Sequence, residues 1–355
     1  MAKGRLLFLV CAACFLLTGC WDRKDPEDRA FIITIGVDTA EAGYHFTFAP
    51  ANMEEEEGEP YTVEAATLAE AVVQADCRSS RKTDLGQLKT VILGKGVLEE
   101  ERRLTHFLGE LEHNQIVSEQ VMLLATEGQA ADCVNAVLEE DSQTGLFLWD
   151  FYKNTAKEVA VTKSLDLDTF LTEWQEQNGA AVLPRIAVEG EKLRLGGGIG
   201  IANGQMYGLD EKQEQGYLFL LGEADGALLE GTYQGEKVPV EIRKSDVHYD
   251  FVQRADGIGC RVTLPLEGIL QGGMEAEENL ENLFETIIKQ EIENTIGIAK
   301  AAGTDLFGIL PRLYRQAPRL MQGQERDTLW ENMTVEIQPQ VKLRDIGAKK
   351  TGFIQ

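Results

Sequence analysis

Between Glu277 and Lys300, the residues Leu280, Phe284, Ile287, Ile288, Ile292, Ile296 and Ala299 recur at helical spacing. One stripe of a long helix is therefore apolar, and such a stripe needs a surface to cover it. That surface is either the chain's own sheet or a partner, and the flanking sequence favours the first. Ahead of the helix, β-rich runs at Leu228–Tyr233, Val238–Lys244, Val247–Gln253 and Ile258–Leu266 are joined by short turns and read as an antiparallel meander. Behind it, Val335, Ile337, Val341 and Leu343 alternate with Thr334, Glu336, Gln338, Gln340, Lys342 and Arg344. This period of two predicts an antiparallel strand under the helix. Pro339 cannot donate a ladder bond, which argues for an edge position or a bulge. Gly303 ends the long helix, Thr304 or Asp305 can cap the next, and Pro311 predicts a shortened or kinked second helix.

The upstream half alternates differently. Phe31–Asp38 and Tyr44–Ala49 read as a hairpin about Ala42-Gly43. Thr67–Glu70 spells a capping box that opens a helix with Leu68, Ala71, Val72 and Ala75 on one face. Strands at Lys89–Leu93 and Ser118–Ala125 alternate with helices at Glu99–His113 and Ala130–Glu139. Gln143–Lys157 reads as helical despite Gly145, and Asp168–Gln177 as a helix capped by Asp168. Leu195-Gly-Gly-Gly-Ile-Gly-Ile201 resembles a phosphate loop only by composition, because such a loop needs a helix N-terminus after its glycines. Asn203-Gly204 follows instead, a hairpin signal, with helical character over Asp210–Leu221. The expected class is α+β and multi-domain. A mixed α/β domain spans residues 20–190, and an α+β domain with an antiparallel sheet packed by the long helix spans 191–355.

Residues 1–19 stand apart. Lys3 and Arg5 precede the apolar run Leu6–Leu17, which is too short to span a bilayer core needing about 20 helical residues. The pattern is a signal peptide. Leu17-Thr18-Gly19-Cys20 is similar to the bacterial lipoprotein box, so Cys20 is the expected lipid anchor, with a diacylglyceryl thioether and cleavage before it. Two acyl chains hold a protein on a membrane stably, whereas one does so marginally. No later apolar run approaches spanning length, and the longest lies around Tyr217–Leu221. Trp21–Arg29 reads as a tether to a soluble body on the extracytoplasmic side.

Charge narrows the partners. With 34 Lys+Arg against 59 Asp+Glu the formal net charge is −25, which disfavours nucleic acid as a partner. Arg78-Ser-Ser-Arg81-Lys82 is the densest basic spot, either a solvated turn or a contact for lipid headgroups or an acidic partner. Glu54–Glu57 reads as a solvated loop, since it lacks calcium-loop spacing. Beyond Cys20, Cys77, Cys133 and Cys260 form neither a disulfide framework nor a zinc spacing, and Cys260 reads as a core residue. His106 and His113 lie two helical turns apart, too far for a shared metal. The motifs H-E-x-x-H and G-x-S-x-G are missing from the sequence. The expectation is no enzyme: no catalytic residue, no cofactor and no metal. A glycosidase-type carboxylate pair is the enzyme class that composition alone leaves open.

Several segments together resemble the Ger(x)C family, the lipoprotein C subunits of bacterial spore germinant receptors. They are Gly19-Cys20-Trp21-Asp22, Ile35-Gly36-Val37-Asp38, Leu85–Lys89 with Val91–Gly94, Gly198-Ile199-Gly200 with Gly216–Gly222, Asp305-Leu306-Phe307-Gly308, and Thr334–Arg344. Pro311 departs from the uninterrupted helix the family would lead one to expect. The resemblance implies a non-enzymatic subunit required for spore germination, on the outer face of the inner spore membrane. It implies two integral membrane partners, one with a soluble domain and one transporter-like, and a body that subdivides into as many as three domains. The competing readings are a substrate-binding lipoprotein of an uptake system, built as two lobes about a cleft, and a lipid-anchored cell-wall hydrolase.

Overall fold

The computed structural model describes residues 28–51, 58–136, 138, 143–255, 257–271, 277–322 and 326–345. Cys20, the signal segment and the acidic run Glu54–Glu57 lie outside them. Strands β1 (Arg29–Ala40) and β2 (Gly43–Pro50) form the expected hairpin, and β3 (Tyr61–Ala65) extends it. Helix α1 (Leu68–Asp76) starts at Thr67, whose Oγ1 accepts the Glu70 N–H at 3.1 Å. The Glu70 carboxylate returns to the Ala66 N–H, one residue off the expected box. Strands β4 (Lys82–Asp84) and β5 (Thr90–Leu93) both lie parallel to β1. Helices α2 (Lys95–Glu99) and α3 (Glu101–Glu112), strand β6 (Met122–Ala125) and helix α4 (Ala130–Val134) follow.

Next come α5 (Thr144–Asp150), a π-helical turn (Phe151–Thr155), α6 (Ala156–Val159) and α7 (Leu167–Glu176). Gly145 does not break α5. A Cβ there would lie 1.9 Å from Thr34 Oγ1, so glycine lets the helix sit directly on β1. The cap of α7 is Asp166 rather than Asp168, because Asp166 Oδ1 accepts the Thr169 N–H at 2.9 Å.

Antiparallel strands β7 (Ala180–Glu189), β8 (Lys192–Ala202) and β9 (Gln205–Leu209) complete the first sheet, in the order β3-β2-β1-β5-β6-β7-β8-β9 with β4 beside β1. Asn203 and Gly204 turn at φ +52° and +68°, as a two-residue hairpin requires. The sheet thus runs through position 190 and ends at Leu209. The hydrophobic burial explains why. Ala181, Leu183, Ile199 and Ile201 face the core beneath α1, α3 and α7, whereas Ala180, Val182, Ala202 and Leu209 face the core of the downstream half. The β7–β9 ribbon is a wall shared by two interiors. A third cluster, around Leu124, Leu148 and Tyr152, fills the other face of the first sheet beneath α4 and α5.

The downstream half holds α8 (Glu211–Leu221), β10 (Leu228–Tyr233), β11 (Glu236–Ser245), β12 (His248–Arg254), β13 (Gly257–Leu270) and α9 (Glu278–Ala301). Helix α10 (Ile309–Gln316), a 3-10 turn (Pro318–Met321), α11 (Arg326–Asn332) and β14 (Thr334–Asp345) close the chain. The fold class is α+β, as expected, with α9 burying Leu280, Phe284, Ile288, Ile292, Ile296 and Ala299 over its own sheet.

Three details correct the sequence reading. The strands are no simple meander: β13 is long enough for β12 to pair with its first half and β11 with its second. Strand β14 lies parallel to β13 over twelve residue pairs, since α9 carries the chain back to the end from which β13 started. One-face alternation cannot separate the two pairings. Pro311 occupies the first turn of α10, where its missing N–H has no helical partner to lose, so the helix is not kinked there.

Pro339 does sit on an edge strand. The outward N–H groups of Val341 and Leu343 are taken by Glu285 Oε1 at 3.0 Å and Glu281 Oε1 at 2.9 Å, both from α9. Two residues earlier on the same side, Pro339 has none to offer.

Candidate functional site

The one residue to which the sequence assigns a role, Cys20, precedes the described residues. What the structure places is the point where its tether meets the body. Arg29 opens β1 beside Lys82 of β4, and the Arg29 guanidinium pairs with the Asp84 carboxylate. The basic turn Arg78–Lys82 lies alongside.

Other candidates are dispersed. Cys133 and Cys260 are buried and Cys77 is exposed, and none is bonded to another. Burial pushes the Cys133 thiol up to about 11 and the Cys260 thiol up to about 12, which keeps both protonated and inert. His106 Nδ1 lies 3.2 Å from Glu110 and 3.3 Å from the Tyr44 hydroxyl, while His113 turns to the Gly109 carbonyl. No group of three metal-ligating side chains occurs among the described residues.

The densest polar chemistry is internal, at the β7–β9 ribbon. Glu214, on the first turns of α8, is fully buried. Its Oε1 accepts the Lys163 N–H at 3.0 Å. Its Oε2 fills the space where a Gly198 Cβ would be, 2.2 Å away. The glycine-rich strand therefore makes room for a carboxyl, not for a phosphate. The Lys163 ammonium is also buried, contacts the Glu173 carboxylate and donates to the Tyr217 hydroxyl at 3.2 Å. Removing water from Glu214 raises its pKa from 4.5 to about 7, opposed by the Lys163 N–H bond and by the Lys163 and Arg185 charges.

The Asp305–Gly308 segment buckles onto the same place. Asp305 Oδ1 accepts the Phe307 N–H at 3.1 Å and Oδ2 the Leu310 N–H at 2.6 Å. Leu306 packs on Gly200, the Phe307 ring lies 5.1 Å from that of Tyr217, and Gly308 turns at φ +71° beside Gln177. The Arg312 guanidinium donates to the Phe307 and Gly308 carbonyls and lies 4.8 Å from the Tyr249 ring. Around Glu214, Tyr217 and Phe307 the junction between the two sheets is thus packed interior, where a two-lobe ligand-binding protein would have a cleft. Glu214 Oε2, Glu173 Oε2 and Gln177 Oε1 are buried there without a hydrogen-bond partner among the described residues. Open grooves do lie at the edge of this junction, including one of about 660 Å³ lined by Val159–Val161 at the end of α6 and by Lys212, Leu228 and Glu291 of α8, β10 and α9.

Sequence reasoning missed Glu214 and Lys163. The available signal was glycine inside a strand, which marks close approach of another group. A test follows. Below pH 4.5 Glu214 is protonated in both folded and unfolded chains. Between 4.5 and 7 the unfolded chain releases its proton first, so this group's contribution makes stability fall as pH rises through that window, by roughly 3 kcal/mol in total. Glu214→Gln is expected to raise the melting temperature at pH 8 and flatten the profile, leaving a smaller slope from Glu291, which burial also raises to about 7. Melts across pH 4–8 that keep the parental slope would refute the assignment.

Residues 22–188 match the family described as "Spore germination protein N-terminal domain", and residues 197–347 match "Spore germination B3/ GerAC like, C-terminal". The chain belongs to the Ger(x)C family. Its curated relatives are distant. The putative spore germination protein YfkR of Bacillus subtilis is 20% identical, with 94% of each chain covered. Spore germination protein B3 of the same organism is 24% identical over 82% of each. The crystal structure of the GerBC protein superposes with a TM-score of 0.58 at 16% identity, covering 87% of this chain and 96% of that one, and shows a shared fold. The two family segments meet within the β7–β8 hairpin, so in this Ger(x)C chain the shared wall carries the seam.

Proposed function

We propose that this Ger(x)C chain is the lipid-anchored, non-enzymatic C subunit of a nutrient germinant receptor, held by Cys20 on the outer face of the inner spore membrane. The observation that carries the reading is the succession of two germination-family segments across residues 22–347, behind a lipoprotein box. A binding role is supported by the Lys163 contacts to Glu214, Glu173 and Tyr217, which tie the two halves together. Among the described residues no helix is long and apolar enough to cross a membrane. The attachment proposed is the diacylglyceryl thioether on Cys20, with or without a further acyl chain on its amino group, and no cofactor. Confinement to the membrane plane raises the concentration of the body near two integral partners, one with a soluble domain and one transporter-like. Docking of this acidic surface on basic partner faces weakens with salt.

Cys20→Ala in the host is the test. The variant is expected to leave the membrane fraction, to lose labelling by a fatty-acid analogue, and to lose most nutrient-triggered germination. Retention in the membrane with normal germination would overturn the proposal.

A further inference from the structure

The tether and the basic turn meet at one place. Cys20 and Asp28 are eight residues apart, which limits the span between them to about 29 Å even if fully extended. Whatever holds Cys20 at a bilayer holds the start of β1 close to it. Arg29 is paired in register with Lys82, so β4 is the strand nearest that point. The turn leading into β4 carries Arg78, Arg81 and Lys82, with Arg78 and Lys82 exposed, in a chain whose net charge is −25. Two of the nearby carboxylates are engaged, since Asp76 Oδ1 accepts the Thr83 N–H at 2.7 Å and Asp84 holds Arg29 and the Gly86 N–H, while Asp28 is exposed.

A second observation falls at the same strand. Val73 and Ile116, 61% and 62% exposed, are the most exposed large hydrophobic side chains among the described residues. Val73 lies in the last turn of α1, which packs on β4. Ile116 lies over Gly86, just beyond β4. Exposed aliphatic groups beside basic ones are the composition of a surface that enters a headgroup layer.

We infer that the β4 end of the body is a membrane-docking face, in which Arg78 and Lys82 contact anionic phospholipid headgroups while Val73 and Ile116 enter the interfacial layer. The inference rests on the proposed anchor for its orientation, but the contact itself needs no acyl chain. The acidic remainder does not prevent it. Charges more than about 8 Å from the surface are largely screened at physiological salt, so the docked face decides the sign of the interaction. The function of the face is to fix which way the tethered body points, and therefore which surfaces its membrane partners meet.

The test uses the chain from residue 21 onward, unlipidated, which retains every described residue. It is sedimented with vesicles of phosphatidylcholine alone or with 40 mol% phosphatidylglycerol. Binding is expected only with phosphatidylglycerol and is expected to vanish at high salt. The Arg78→Gln, Lys82→Gln double variant should bind about 25-fold more weakly, at roughly fivefold per cation. Val73→Ser with Ile116→Ser should weaken binding several-fold. A control with Lys237→Gln, Arg243→Gln and Lys244→Gln, exposed on the second sheet, should bind as the parent does. Failure of the parent to bind phosphatidylglycerol vesicles, or undiminished binding by the basic-turn variant, overturns the inference. Loss of germination in a strain carrying that variant, without vesicle binding by the parent, would assign the turn to an acidic protein instead. None of these outcomes depends on whether Cys20 is acylated, which the fatty-acid labelling reads separately.

Discussion

Gly226→Ala is expected to cost more than about 4 kcal/mol, enough to leave most of the chain unfolded at 37 °C if its stability is that of an ordinary domain. Gly226 turns at φ +85°, and its N–H donates to the Ile242 carbonyl at 2.7 Å. A Cβ there would lie 1.7 Å from the Glu158 carbonyl oxygen, a backbone atom that no rotamer change can move. The site presses the end of α6, in the upstream half, against the start of the second sheet. Gly235→Ala separates the two causes. Gly235 has a similar φ of +89° but nothing within 4 Å of its would-be Cβ, so it should lose only about 1–2 kcal/mol of backbone strain. Urea titrations of both variants are the measurement. Equal losses would mean that backbone conformation alone, and not the packing of the two halves, makes glycine necessary at Gly226.

Phe307→Ala comes next, at about 3–5 kcal/mol. The ring is 1% exposed and stacks obliquely on Tyr217, whose hydroxyl accepts from Lys163. Truncation leaves a cavity where α8, α10 and the β7–β9 ribbon converge. The loss should therefore appear on both sides of the seam. Amide exchange is expected to quicken in α10 and also in β8 and the C-terminal turn of α7. Acceleration confined to α10 would show that the buckle stabilises only its own helix.

The long elements were legible because their patterns are long. The α9 stripe repeats over more than five turns, and the β14 alternation persists over a strand of twelve residues. Short helices were not: Asp166 and Asp168 are equally good caps on paper, and only the extended backbone of Asp166 itself selects the first. Pairing direction was hidden, since alternation reports which face is buried and not which neighbour runs which way. Seams were hidden most of all. Strands β7 and β8 bury both faces, so alternation does not reveal that they serve two cores, and the carboxyl that requires Gly198 lies on a helix sixteen residues downstream. Of the anchoring site, the sequence supplies the chemistry at Cys20 and the structure supplies the neighbouring basic turn.

Copies of such a chain held in one plane would collide far more often than in free solution, always in similar orientations. Under those conditions an open sheet margin invites strand-by-strand growth into fibres. The stretch of β14 running through Pro339, Val341 and Leu343 refuses that growth: two of its amides are already taken by glutamates of α9, and the third position has no amide hydrogen. Neighbours that meet along this margin must recognise side chains, and recognition of that kind can come apart again.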